Sequence, residues 1–536
     1  MKLKTSLLSP NFHRSVANRL VGRAGLLTHH ARSLTVAALL RSPARKQAGS
    51  LAALGLMLLL CGCNPAPKYA KPPAQTPAAF KETLPPGYKE GAGWKLAEPG
   101  DDKLRAKWWE LYNDPQLNAL EEQVAISNQT IAAAEANFRG ARALVVSARS
   151  GLFPTLGASP SYANSRTSAT ARSSRTPVTT TLNTFSLPLD FSYTVDFWHR
   201  IRNTIAANAY SAQASAADVA TALLSTQAEL ATLYLELRAV DTQRKILTDT
   251  LVNYRQALDL TTTLYKTGIN SEQEVVQAQT QLNIATAQAT DLGVSRTQFE
   301  HAIATLIGKP ASNFTLDAAP FAINPPSIPV ALPSVLLERR PDIAALERQV
   351  AAANALIGVA RAAYYPNLTL SASAGFQTSA FTQWFNWPSR FWSLGPTLSQ
   401  TLFDGGARRA LNEQAQAQYD ASVANYRQTV LTSFQAVEDQ LAALRILSQE
   451  ANEQRAAVTS SSRYLDLALI RFRTGVDSYL NVITAQTTLL NNRETEVQVQ
   501  LRQMTSSVSL ILALGGGWDN SQLPQMKDLT ARSATP

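Results

Sequence analysis

Several stretches of the chain alternate between apolar and polar residues. In TFSLPLDFSYTV (184–195), Phe185, Leu187, Leu189, Phe191, Tyr193 and Val195 share one face, opposite Thr184, Ser186, Asp190, Ser192 and Thr194. NLTLSASAGF (367–376), WSLGPTLSQTL (392–402) and, more weakly, TLGASPSYA (155–163) repeat that period of two. Each reads as a strand with one apolar face. A half-buried soluble sheet fits the alternation, and so do strands of about ten residues tilted across an outer membrane.

Elsewhere the period is helical. Arg200–Thr267 and Ala407–Thr474 are rich in Ala, Gln, Thr and Leu, with thin apolar stripes rather than one broad face. At 1.5 Å per residue each helix reaches on the order of 100 Å. Ser271–Ile307 and Ser478–Leu514 are expected to return part way. Leu117–Ser150 and Asp342–Ala363 could continue that return end to end.

The chain also repeats itself. KTGINSEQEVVQAQTQLN (266–283) and RTGVDSYLNVITAQTTLL (473–490) align through Gly268 and Gly475, 207 positions apart (475 − 268). NALIGVARAAYYPNLTLSASA (354–374) echoes RALVVSARSGLFPTLGASPSY (142–162), with Pro366 over Pro154 at a shift of 212 (366 − 154). Each half therefore runs helix, two strands, long helix, tight turn, helix. The expected organisation is a leader with an N-terminal extension (1–62), a proline-rich tether (63–103), a first repeat (104–308), a linker (309–333), a second repeat (334–515) and a C-terminal tail (516–536).

Charge sharpens this reading. The formal net charge is +10, but residues 1–62 carry nine Lys or Arg and no acid, which leaves 40 basic against 39 acidic residues from position 63 onward. A nucleic-acid binder would keep its basic patch in the folded part. Residues 41–63 show a basic flank, an apolar run too short to span a bilayer, and Leu60-Cys61-Gly62-Cys63. The last four residues resemble a bacterial lipobox, which implies a covalent lipid on Cys63. Asn64 stands where an Asp would resemble an inner-membrane retention mark, so the outer membrane is expected. With that leader the membrane reading of the strands is preferred. Four strands cannot close a barrel and open edges are not tolerated in lipid, so several chains must share one.

The segments WWELYNDPQLNALEEQ (108–123), LPSVLLERRPDIAALERQVAAANALIGVARAAYYPNLTL (332–370), TLFDGGARRA (401–410) and RFRTGVDSYLNVITAQTTLL (471–490) resemble the outer membrane factors of tripartite efflux pumps. The likeness is to the TolC-like lipoprotein branch that works with resistance-nodulation-division pumps, and it runs from about Lys68 to Trp518. It implies an α+β membrane protein and a homotrimer. A twelve-stranded outer-membrane β-barrel, four strands per chain, would be continued by a long periplasmic α-helical barrel. It also implies a passive conduit for small organic solutes, partnered by a periplasmic adaptor, an inner-membrane pump and outer-membrane lipid. An outlet for polypeptide secretion is the alternative.

By the same resemblance the repeated phrases are hairpin tips that meet the adaptor, through Lys266, Thr267, Gly268 and Ser271 and through Arg473, Thr474, Gly475 and Ser478. The gate is expected just inside them. Relatives place a leucine and, four residues on, an aspartate there. Here the pair is Leu480 and Thr484, with Gln273 and Gln277 in the first hairpin, so the acidic ring is missing at that position. Asp477, Glu272 and Glu274 could still make the mouth negative. His199-Arg200 departs from the glycine turn seen at Gly405-Gly406.

No enzyme chemistry is expected. Only His199 and His301 follow the lipobox among histidines, without metal spacing, and both cysteines lie within it. No phosphate loop or nucleophile motif occurs. Asp190 and Asp196 read as lumen lining. No cofactor is expected beyond the lipid.

Overall fold

The computed structural model describes residues 64–82, 107–166, 168, 181–321, 326, 328 and 337–530. Cys63 and the leader lie outside these, as do 83–103 of the tether, most of 322–333 in the linker and 531–536 of the tail. The described residues belong to one compact unit.

The order is α1 (Pro115–Ser127), α2 (Gln129–Ser150), β1 (Thr155–Ala158), β2 (Ser161–Arg166), β3 (Thr181–Val195), α3 (Arg200–Lys266) and α4 (Glu272–Leu306). The second half gives α5 (Pro341–Ala362), β4 (Asn367–Thr378), β5 (Arg390–Ser399), α6 (Ala407–Arg473), α7 (Tyr479–Ala513) and the short α8 (Met526–Thr530). Helices α3 and α6 each run 67 residues because neither contains Gly or Pro. Their threonines hydrogen-bond back one turn, as Thr261 Oγ1 does to Ala257 O at 3.0 Å. A hydroxyl satisfied in this way can be buried, and Thr261 is fully enclosed.

The expected single helix 117–150 is in fact two. Asn128 breaks it, because its Oδ1 caps α2 through the amides of Thr130 (2.8 Å) and Ile131 (3.2 Å). The break places α2 in line with α4: Asn128 Nδ2 donates to Leu306 O at 2.8 Å. Arg340 plays the matching part in the second half, where its Nη1 donates to Ala513 O at 2.9 Å and ties α7 to α5. At both joints a glycine in the left-handed region, Gly308 (φ +69°) and Gly515 (φ +92°), lies against the backbone of Ser127 or Arg339, leaving no room for a Cβ. The return is thus end to end in both repeats.

The strands form one antiparallel sheet, with β1 and β2 both on β3, then β4, then β5. Segment 155–163 is the start of one strand interrupted around Pro160, which has no amide to offer the ladder. Register keeps the faces whole. Leu156, Phe191, Ala372 and Leu394 form one row; Gly157, Asp190, Ser373 and Ser393 form its polar neighbour. No strand pairs with the outer side of β1 and β2 or of β5 among the described residues.

The main core lies near mid-height. Trp108, Tyr112, Leu117 and Val124 pack on Leu230, Tyr234, Val430, Val437, Leu510 and Ile511 from the long helices and α7. Segment 316–321 is bound to it by buried charge. Asp241 accepts Arg296 Nε at 2.8 Å, Arg238 Nη1 at 3.3 Å and the Ala319 amide at 3.1 Å. Helix α5 is long and apolar enough to cross a membrane, but it is mostly buried within the fold and serves as a core helix.

Residues 64–82 of the proline-rich segment are extended, as its composition implies, and they are also tied down. Asn64 exchanges side-chain hydrogen bonds with Asn203 (3.0 and 3.4 Å), and Asn354 Nδ2 donates to Pro67 O at 2.9 Å. At the other end the amides of Lys81 and Glu82 donate to the Glu438 carboxylate at 2.7 and 2.9 Å. Arg445 pairs with Glu82 at 2.7 Å.

Candidate functional site

Each long helix ends in the same turn. Gly268 and Gly475 sit at φ +76° and +75°. The amide of Gly268 donates to Tyr265 O (2.9 Å) and that of Ile269 to Leu264 O (2.8 Å); Gly475 to Phe472 O (3.0 Å) and Val476 to Arg471 O (2.9 Å) repeat the pair. These are Schellman turns, in which a left-handed residue lets two amides close the helix end. Lys266, Thr267, Arg473 and Thr474 are exposed around them, as are Ile269 and Val476. Ser271 and Ser478 hold extended N-cap conformations, but neither side chain caps its helix.

Beneath the turns the two hairpins of the chain pack together. Phe472, Tyr479, Val482 and Ile483 meet Leu258, Leu260 and Leu264. The rings of Phe472 and Tyr479 lie 5.3 Å apart, and burial pushes the Tyr479 hydroxyl up to about 12. Leu480 is 55% exposed and Thr484, one turn on, is also exposed, while their neighbours Val482, Ile483 and Ala485 are buried. A spacing of four puts the pair on one free face. Thr484 Oγ1 donates to Leu480 O at 2.9 Å. In the first hairpin Gln273 is exposed and Gln277 half-buried.

The acids near the tips have local roles. Arg471 Nε donates to Asp477 Oδ2 at 2.6 Å, so that carboxylate is already paired. Glu272 and Glu274 occupy the first turn of α4, where the helix dipole favours them. Sequence reading missed the Arg471–Asp477 clasp, although the turn between them brings the two ends together.

At the other end of the long helices, Asp196 lies just past the end of β3 and is engaged by the helix that follows. Its Oδ1 and Oδ2 accept the amides of Ile201 and Arg202, both at 2.9 Å, and cap α3. Asp404 does the same for α6 with the Gly406 and Arg408 amides and the Arg408 side chain. His199 adopts the left-handed conformation (φ +56°) that Gly406 holds in the second repeat, so the departure keeps the turn. Asp190 stays on the polar sheet face, accepting from Ser373 Oγ at 2.7 Å. Trp198 stacks on Tyr365 and donates to Pro366 O at 2.9 Å, an aromatic seam where sheet meets helices. Among the described residues no group of three or more His, Cys, Asp or Glu could hold a metal.

A family model described as outer membrane efflux protein matches residues 120–309 and 332–516, most of the chain in two blocks that meet at the linker. The chain belongs to the outer membrane efflux protein family. It is 31% identical to the pyoverdine export outer membrane protein OpmQ of Pseudomonas aeruginosa, over 88% of this chain and 97% of that one. It is 32% identical to the toluene efflux pump outer membrane protein TtgI of Pseudomonas putida, over 87% and 98%. The outer-membrane channel OprN superposes with a TM-score of 0.77 at 29% identity, covering 85% of this chain and all of that one. The Campylobacter jejuni channel CmeC shares the fold at a TM-score of 0.78.

The protein is thus an outer-membrane efflux channel rather than an enzyme, with the family's barrel-and-helical-tunnel fold reaching into the periplasm. The sheet is its membrane part. From Phe185 to Val195 its apolar face spans ten strand steps, about 34 Å, which at a tilt of about 40° covers the ~25 Å apolar band of such barrels.

Proposed function

We propose that this efflux channel is the lipid-anchored, trimeric exit duct of a tripartite pump for small organic solutes. In this reading an adaptor seats on the paired tips at Gly268 and Gly475, a resistance-nodulation-division pump supplies the solute, and Leu480 closes the mouth. The observation that carries it is the duplication of one exposed turn, bond for bond, at the far end of two helices of about 100 Å. Three chains with two such turns each give six near-equivalent seats. The relatives' cargoes, pyoverdine and toluene, are organic, which supports that class of solute. Tethering of Asn64 to Asn203, three residues into α3 beside the aromatic seam, supports a lipid on the adjacent Cys63 at the membrane surface.

The test is Gly475→Val, Gly268→Val and the double variant. A Cβ at either glycine meets nothing within 4 Å, so the cost is the left-handed backbone alone, roughly 1–2 kcal/mol per site. Trimer abundance should stay near normal while pump-dependent resistance falls, most in the double variant. Unchanged resistance in the double variant would remove the docking assignment.

A further inference from the structure

The charge of the sheet is lopsided. In sequence, residues 155–195 and 367–399 contain four arginines, Arg166, Arg172, Arg175 and Arg390, against the single acid Asp190; Arg166 and Arg390 are among the described residues. Register puts Arg390 opposite Phe376, itself opposite Leu187, so this cation stands on the apolar face at its outer rim. Its guanidinium lies 4.2 Å from the Trp387 ring and donates through Nη1 to Trp387 O at 3.2 Å. No ion pair engages it among the described residues, whereas Arg408 at the helix junction is held by Asp404. Next to it, Phe381, Trp384 and Phe385 fold over Phe185 and Phe376 on the same face. Trp387 and Trp392 are 72% and 76% exposed.

An unpaired guanidinium braced on an aromatic platform at the edge of a lipid-facing band suits a phosphate attached to acyl chains. The outer leaflet of this membrane is built of such a lipid. We propose that Arg390, with Trp387 and Trp392, forms a binding site for the phosphorylated glucosamine headgroup of outer-leaflet lipid A. The guanidinium takes the phosphate and the rings below take the proximal acyl chains. The proposal depends on the outer-membrane location and not on the docking or gate assignments.

The test titrates the purified full-length protein in detergent with bis-phosphorylated lipid A, dephosphorylated lipid A and phosphatidylethanolamine, reading bound lipid by native mass spectrometry. Bis-phosphorylated lipid A should bind best, and Arg390→Gln should weaken it about tenfold, the size of one charge-assisted contact. Trp387→Leu should weaken the phosphorylated and dephosphorylated forms alike, since the rings take the acyl chains that both carry. Equal binding of the phosphorylated and dephosphorylated lipids, or an unchanged half-saturation in Arg390→Gln, would overturn the site. So would Arg390→Gln leaving lipid binding intact while slowing export of an anionic solute, since this cation would then act on the cargo.

Discussion

At Glu121 a carboxyl group is fully enclosed in the mid-height core, and neither of its oxygens has a hydrogen-bond partner among the described residues. Burial therefore raises its pKa well above 4.5, because the charged form loses its water. The folded protein holds this proton more tightly than the unfolded chain. The resulting stability is fully present below the unfolded value of 4.5 and is lost as pH rises through the folded value. Glu121→Gln should flatten that decline, read as the melting temperature of the purified protein from about pH 4.5 upward. Parallel curves for the two proteins would show that Glu121 is not the group responsible. Nothing in ALEEQ announces this, since a helix-face carboxylate is normally solvated and only the tertiary fold encloses it. The capping role of Asp196 was hidden for a related reason, since the amides it accepts belong to the next helix. Thr484, by contrast, was legible outright, because its identity and its spacing from Leu480 are sequence facts and the helix puts both on one free face.

Among elements, helices were easier to read than strands. Composition and thin apolar stripes marked α3 and α6, and the glycine turns fixed their ends to within a residue. The breaks at Asn128 and Pro160 were hidden, since each depends on where backbone groups find partners. The strap at 64–82 was read as a tether because proline-rich chain carries no pattern for docking. Its 18 steps at about 3.3 Å could span ~60 Å, more than the ~42 Å that separates Asn203, near the start of α3, from Glu438, 31 residues into α6. Gly358 lets it lie close: a Cβ there would stand 2.5 Å from Ala66 Cβ and 2.6 Å from Asn203 Nδ2. Gly358→Val should lift the upper strap, at a cost of about 1–3 kcal/mol, and expose residues 64–70 to limited proteolysis of the native protein. Protection equal to the parent would mean that the strap is held from its Glu438 end alone.

For the whole molecule, the unpaired outer sides of β1, β2 and β5 demand neighbours in a membrane, and three chains of four strands close an even-numbered barrel. The duplication places two tips per chain at the opposite end, and in the proposed gate a trimer brings three Leu480 side chains toward one mouth. An apolar ring of that kind closes by excluding water. Asp477 is paired with Arg471, and Thr484 offers a hydroxyl where a carboxylate would bind cations. The mouth should therefore be sealed by leucine and be nearly indifferent to multivalent ions. The most direct measurement is the planar-bilayer conductance of the purified trimer, for the parent, Leu480→Ser and Thr484→Asp, each with and without divalent and trivalent cations. The account predicts a low resting conductance with little cation block in the parent, a severalfold rise in Leu480→Ser, and block created in Thr484→Asp. Strong cation block of the parent together with unchanged conductance in Leu480→Ser would contradict it.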